Sequence, residues 1–129
     1  DPETCVSIIE EIKKLYNTDI PIFAICLGHQ LMALANGAKT YKLKYGHRGG
    51  NHPVKDLTNN RVYISSQNHG YAVDGTTIDP AIAKEAFINV NDGTKDLHTK
   101  ERIFSQFSST RRLVLDHRIP DTCLIDLWI

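Results

Sequence analysis

One cysteine, Cys26, lies where a chain can expose a nucleophile. It ends an apolar run over residues 20–25 and precedes Gly28 and a helix-compatible stretch over residues 29–36. This order predicts a strand, a tight turn and a helix with the thiol at the apex, as in the nucleophile elbows of hydrolases. The dipole and the free N–H groups of a helix N-terminus favour the thiolate, which is the reactive form of cysteine. The small residues Ala24 and Gly28 leave room for such a turn.

The same pattern also fits a buried cysteine in an ordinary strand-to-helix turn, because free cysteine is among the most buried residue types. The spacing Ala-x-Cys-x-Gly around Cys26 matches the Gly-x-Ser-x-Gly elbow only in part. Spacing alone therefore leaves both interpretations open.

Four segments of the chain carry a family resemblance: residues 23–30, 39–54, 66–74 and 89–94. The first resembles the nucleophile segment of class I (triad-type) glutamine amidotransferases. The other three resemble the small, glutamine-hydrolysing subunit of carbamoyl-phosphate synthetases within that family. Since the segments agree in order and spacing, the resemblance runs almost unbroken over residues 1–107.

The resemblance implies that glutamine is hydrolysed to glutamate and ammonia through a thioester on Cys26, and that ammonia passes to a large synthetase subunit. It implies that the backbone N–H of Leu27 stabilises the oxyanion. It further implies a glutamine pocket that includes Gln30, Asn68, Gly70 and Tyr71. An ordinary turn over residues 67–70 is the alternative, since Asn and Gly both tolerate left-handed backbone.

The chain departs from the family after its last predicted strand. The family strand ends in Gln-Phe-His-Pro-Glu, in which the histidine acts as the base and the glutamate orients it. Here Ser108 and Thr110 stand at those two positions, and one residue is missing between Ser105 and Gln106. Residues 121–129 resemble the family's C-terminal helix again, which limits the atypical segment to residues 108–120. The replaced base predicts weak or absent turnover.

Three other interpretations of the sequence stay open. His117 could replace the missing base only if the fold brings it within about 3 Å of the Cys26 sulfur, with Asp116 or Asp121 beside it. The chain could be a non-catalytic amidotransferase-like subunit that keeps the fold and the contact to a synthetase. It could also be an α/β protein with a reactive thiol, such as a redox sensor.

The length and composition of the chain limit the kinds of protein and partner that it can be expected to have. A chain of 129 residues predicts one domain, and its 15 basic and 15 acidic side chains give no reason to expect nucleic acid or an anionic membrane as a partner. Three widely spaced cysteines predict a reducing cytoplasm rather than disulfides. No metal or other cofactor is expected, because none of the histidines has metal-ligand spacing: His29, His47, His52, His69, His98 and His117.

By the resemblance, the domain is incomplete, since family members place a strand and a glycine-rich loop with the second oxyanion donor before this point. The product would serve arginine or pyrimidine synthesis.

The periodicities predict an α/β fold, which the resemblance refines to a flavodoxin-like three-layer α/β/α arrangement with a mostly parallel sheet. Cys26 is expected at the carboxyl end of a central strand, where open sheets place their sites. A helix is predicted over residues 3–16 and a glycine- and histidine-rich loop over residues 46–53. Further strands are predicted over residues 38–44, 54–57, 61–66, 85–91 and 103–107.

Overall fold

A computed structural model of the chain describes residues 1–18, 20, 22–98, 103–105 and 123–125. These residues form two α-helices and one seven-stranded sheet. The elements are α1 Val6–Tyr16, β1 Ile22–Ile25, α2 Leu27–Ala35, β2 Lys39–Asp56, β3 Val62–Asp74, β4 Lys84–Asn89, β5 Lys95–His98, β6 Ile103–Ser105 and β7 Cys123–Ile125. Short 3-10 turns cover Pro2–Thr4 and Gly75–Thr77.

Both helices pack against each other and contribute to one hydrophobic core. The helix predicted from residue 3 is α1, preceded by a 3-10 turn in which the Asp1 carboxylate accepts the Glu3 N–H at 3.0 Å. α1 buries Ile12 and keeps its lysines and glutamates exposed. α2 is buried over residues 28–33 and ends at Asn36, with Gly37 beyond it at φ +86°. A glycine at positive φ directly after the last helical turn is typical of a helix C-cap.

The sheet is mixed, with the strand order β3-β2-β4-β5-β6-β1-β7. β1 pairs in parallel with β6 and β7, whereas the other four pairings of the described strands are antiparallel. The expected mostly parallel sheet is therefore not confirmed. Parallel neighbours need a long crossover, usually a helix, and no α-helix lies between β2 and β5.

A long hairpin of β2 and β3 corrects two expectations. β2 runs without interruption through residues 46–53, so the predicted loop is wrong. β3 continues to Asp74, so residues 67–70 lie within a strand and the turn interpretation is wrong as well. The β2–β3 register shifts between Lys42 and His47 and again between Gly49 and His52. Gly46 and Gly49 at φ +70° and +134° accommodate these bulges, because glycine has no Cβ to clash.

The C-terminal stretch differs from the family pattern. Cys123–Ile125 forms β7, parallel to β1, where the resemblance implied a helix. Ser108, Thr110 and the candidate base His117 lie outside the described residues, as do Asp116 and Asp121. Among the described residues, no helix is long and apolar enough to cross a membrane.

His29 is a polar residue in the interior of α2. Its side chain is 0% exposed. Burial, with a smaller contribution from the nearby His69, lowers the pKa of His29 to about 3. The folded protein therefore keeps His29 neutral at pH values where an unfolded chain protonates it.

We expect this neutral histidine to make the protein less stable in mild acid. Below about pH 6.5 the unfolded state binds a proton that the folded state does not, so the free energy of unfolding falls as the pH falls. Between pH 6 and pH 5, His29 should contribute about 1 kcal/mol to that fall. Urea unfolding at pH 7, 6 and 5 measures it, and His29→Gln should flatten the dependence. An equal slope in both proteins would show that His29 is not the cause.

Candidate active site

Cys26 forms a strained turn between β1 and α2. Its backbone angles are φ +53° and ψ −113°, a region that residues other than glycine rarely adopt. Ala24 and Gly28 beside it are both buried. β1 is flanked on both sides by parallel strands, β6 and β7, so the thiol leaves the sheet at a carboxyl strand end. Such strain is characteristic of nucleophile elbows and supports the elbow interpretation of the sequence.

The half-buried thiol faces strand β3. Cys26 Sγ donates to the carbonyl oxygen of Asn68 across 3.6 Å. Leu27 is the first residue of α2, so its backbone N–H has no carbonyl to bind within the helix. A thiol and a backbone donor of the first helical turn thus belong to consecutive residues at a helix N-terminus.

A cavity of about 330 Å³ lies in front of the thiol. The structure brings all six predicted site residues to its wall: Cys26, Leu27, Gln30, Asn68, Gly70 and Tyr71. Their roles in glutamine binding stay predictions. The volume lies at the small end of the range of about 300–1,000 Å³ that is usual for ligand sites.

Two parts of the wall were missed by sequence reasoning. Four residues from the start of the chain line one side of the cavity, namely Asp1, Pro2, Thr4 and Cys5, and no local pattern relates them to a strand that begins near residue 62. His69 also lines the cavity. Its position between Asn68 and Gly70 was the only sequence signal for it.

Gln30 joins the two sides of the site. Its side chain is 3% exposed, and its Nε2 donates to the Tyr71 carbonyl oxygen at 2.8 Å. Its backbone N–H is bonded to the Cys26 carbonyl at 3.2 Å. Gln30 therefore connects the nucleophile turn to the opposite strand.

His69 is buried in the wall and held from both ring nitrogens. Nδ1 lies 2.8 Å from the Tyr71 carbonyl oxygen, and Nε2 lies 3.2 Å from His47 Nδ1. Burial lowers the pKa of His69 to about 4, with a smaller opposing effect of the Tyr71 hydrogen bond. At neutral pH the ring is uncharged, and it is a weak base.

The histidines that lie in the described ranges do not form a metal site with other residues of those ranges. No group of three or more histidine, cysteine, aspartate or glutamate side chains there has the geometry to hold a metal ion. Neither Cys5 nor Cys26, the two cysteines whose burial the structure describes, forms a disulfide with another described residue.

Comparison with known proteins gives one family. Residues 1–107 match the model of the family described as "Glutamine amidotransferase class-I". The chain is similar to the carbamoyl phosphate synthase small chains of Yersinia pseudotuberculosis (51% identity over 108 residues), Escherichia coli K12 (56% over 94) and Methanosarcina mazei (52% over 94). These alignments cover 83%, 73% and 73% of this chain, and 27%, 24% and 25% of those relatives. The chain thus spans about a quarter of their length.

Two solved structures share its fold. A glutamine amidotransferase from Thermotoga maritima superposes with a TM-score of 0.63 at 24% identity, over 78% of this chain and 45% of that one. A putative GMP synthase component from Thermoplasma acidophilum gives a TM-score of 0.65 at 18% identity, over 81% and 55%. At these identities the likeness shows the fold alone.

The strain at Cys26 predicts an unusual order of stabilities. Glycine adopts positive φ freely and alanine does not, so Cys26→Gly should be more stable than Cys26→Ala by about 1 kcal/mol. Urea denaturation measures the difference. As a control, Ala35→Gly within α2 should be destabilising by about 1 kcal/mol, because glycine is unfavourable in a helix. An alanine variant at position 26 as stable as the glycine variant would mean that this backbone is relaxed.

Proposed function

The chain belongs to the class I glutamine amidotransferase family, and from this membership we propose that it is the glutaminase component of a carbamoyl-phosphate synthetase. The observation that carries the proposal is the strained Cys26 turn facing a cavity with Asn68, Gly70 and Tyr71 on its wall. The similarity to carbamoyl phosphate synthase small chains selects this member of the family. The ammonia acceptor would be a large synthetase subunit.

The chemistry follows from a thiolate beside a helix N-terminus. The Cys26 sulfur attacks the side-chain carbonyl carbon of glutamine, a C–S bond forms, and the π electrons move to the oxygen. The Leu27 N–H, free at the first turn of α2, donates to that oxyanion. When the oxyanion collapses, the C–N bond breaks and the leaving nitrogen takes a proton from water, so that ammonia and hydroxide are released. Water then cleaves the thioester to give glutamate and the free thiol.

The opposite strand supplies the groups that recognise the rest of glutamine. Asn68, Gly70 and Tyr71 line the cavity across from the thiol and would hold the α-amino and α-carboxylate groups. Gln30 already donates its amide to Tyr71, so we assign it to keeping the two walls at a fixed separation as well as to binding glutamine.

The site is poorly equipped to transfer protons to and from the thiol and the leaving nitrogen. The family's histidine and glutamate are replaced by Ser108 and Thr110, and His69 on the wall is a weak base with both ring nitrogens already partnered. We therefore expect the thiol to react with activated analogues of glutamine much faster than it turns over glutamine itself. A non-catalytic amidotransferase-like subunit is the second candidate, favoured by the same two replacements.

Labelling with an activated analogue tests the nucleophile. A chloromethyl ketone that replaces the side-chain amide of L-glutamine should alkylate Cys26, because chloride leaves without needing a proton. Peptide mass mapping should place the label there, and L-glutamine should slow it. The D-enantiomer is the matched control and should react at least about tenfold more slowly, since its α-groups are misplaced. Labelling at equal rates by both enantiomers would contradict a glutamine site.

Restoring the missing pair tests the account of weak turnover. Ser108→His with Thr110→Glu should raise ammonia release from glutamine by at least about 100-fold, since a positioned general base contributes about 10²–10⁴-fold. Adding Cys26→Ser to that variant should abolish the gain. Ammonia release coupled to glutamate dehydrogenase gives the rates. No gain would favour the non-catalytic subunit.

A further inference from the structure

A set of buried polar side chains lies behind the cavity wall. His47, Gln67, His69, Asn89 and Thr94 are each 3–7% exposed. Polar groups this deeply buried are stable only when they are hydrogen-bonded. The sequence gives no indication that they meet, because they come from β2, β3, β4 and the turn that follows β4.

Three contacts link Asp92, His47, His69 and the Tyr71 carbonyl oxygen in a continuous chain that ends at the cavity. Asp92 Oδ2 lies 2.6 Å from His47 Nε2. His47 Nδ1 lies 3.2 Å from His69 Nε2, and His69 Nδ1 lies 2.8 Å from the Tyr71 carbonyl oxygen. That same carbonyl accepts the amide of Gln30.

The acceptor at the end of this chain determines where the protons are. A carbonyl oxygen can only accept, so His69 carries its proton on Nδ1. Neutral His69 then has a lone pair on Nε2, which accepts the Nδ1–H of His47 at 3.2 Å, while the Gln67 Oε1 lies farther from that nitrogen, at 3.4 Å. Because Asp92 is also an acceptor, His47 must donate from Nε2 as well. The two contacts together fix the orientation of the His47 ring between Asp92 and His69.

The surroundings of Asp92 keep it ionised. Partial burial raises the pKa of Asp92, but hydrogen bonds from the Thr94 backbone, from His47 and from the Thr94 hydroxyl outweigh burial and hold it below its usual value. Asp92 Oδ1 accepts the Thr94 N–H at 3.0 Å and the Thr94 hydroxyl at 2.9 Å. The carboxylate is thus fixed by the turn, with Oδ2 left to face His47.

A β-bulge places His47 opposite His69. The register shift between Lys42 and His47 contains Gly46 at φ +70°, and a Cβ built there would lie 2.9 Å from the His69 carbonyl oxygen. β2 therefore approaches β3 closely at this point. The bulge directs the His47 ring towards the strand that forms the cavity wall.

We propose that Asp92 and His47 are positioning residues of the glutamine site, which hold residues 68–71 of the cavity wall in place by fixing His69 in its Nδ1–H form. The inference rests on the proposed function for its ligand and on the hydrogen-bond geometry for its mechanism. Neither residue lines the cavity, so each acts through His69 and the Tyr71 carbonyl.

The experiment combines ring spectroscopy with glutamine binding. In ¹⁵N-labelled protein, His47 should show two protonated ring nitrogens and His69 only a protonated Nδ1. Glutamine binding is measured as protection of Cys26 from iodoacetamide. Asp92→Ala should remove the second proton from His47 and weaken glutamine binding at least tenfold. The iodoacetamide rate without glutamine should change less than twofold.

Two matched variants separate positioning from folding. Asp92→Asn can donate its amide to His47 Nε2, so His47 becomes neutral while its Nδ1–H still reaches His69. Glutamine affinity should then stay within about threefold of wild type. Thr94→Val removes one hydrogen bond of the turn and leaves the His47 contact, so both the ring spectrum and glutamine binding should be retained.

The outcomes distinguish failure of the positioning role from failure of the proposed function. Wild-type glutamine affinity in Asp92→Ala, or a His47 ring with one proton in the unaltered protein, would overturn the positioning role. If glutamine gives no protection in the unaltered protein, the proposed function fails and the glutamine part of this inference fails with it. The ring spectra then still decide whether Asp92 and His47 fix His69.

Discussion

The backbone of Cys26 is the constraint on which this site depends. A residue with a side chain remains at φ +53° only when its surroundings prevent relaxation. β1 is bonded on both sides by parallel strands, and α2 is buried over residues 28–33. Neither element can shift without disrupting the core. The packing of the core therefore maintains the strain, and the strain directs the thiol out of the sheet.

The β2–β3 hairpin encloses a cavity in front of this half-buried thiol. Its β3 strand approaches the nucleophile turn closely enough for Cys26 to donate to Asn68 and for Gln30 to donate to Tyr71. From the other side, His47 contacts His69, which belongs to the same strand segment and bonds the Tyr71 carbonyl within it. A wall bonded from both sides has little freedom to move, which is the condition for preorganised binding.

Local patterns predicted local structure well. The helices and the strand–turn–helix around Cys26 all followed from residues close in sequence. Composition misled over residues 46–53, because glycine and histidine are typical of loops. Pairing with β3 overrode that preference, and two bulges absorbed the glycines. The expectation of a mostly parallel sheet was not confirmed for a different reason. The direction of a strand depends on connections between segments that are distant in sequence.

The sequence by itself determined which residue is the nucleophile candidate, what surrounds it along the chain, and which family the chain resembles. Only the tertiary structure decided that four of the first five residues line the cavity and that Asp92, His47 and His69 form one hydrogen-bonded chain. Those contacts join positions 45 and 22 residues apart. They depend on strand register, because a one-residue slip would move every side chain of the strand to the opposite face of the sheet. Short-range periodicity does not encode that register.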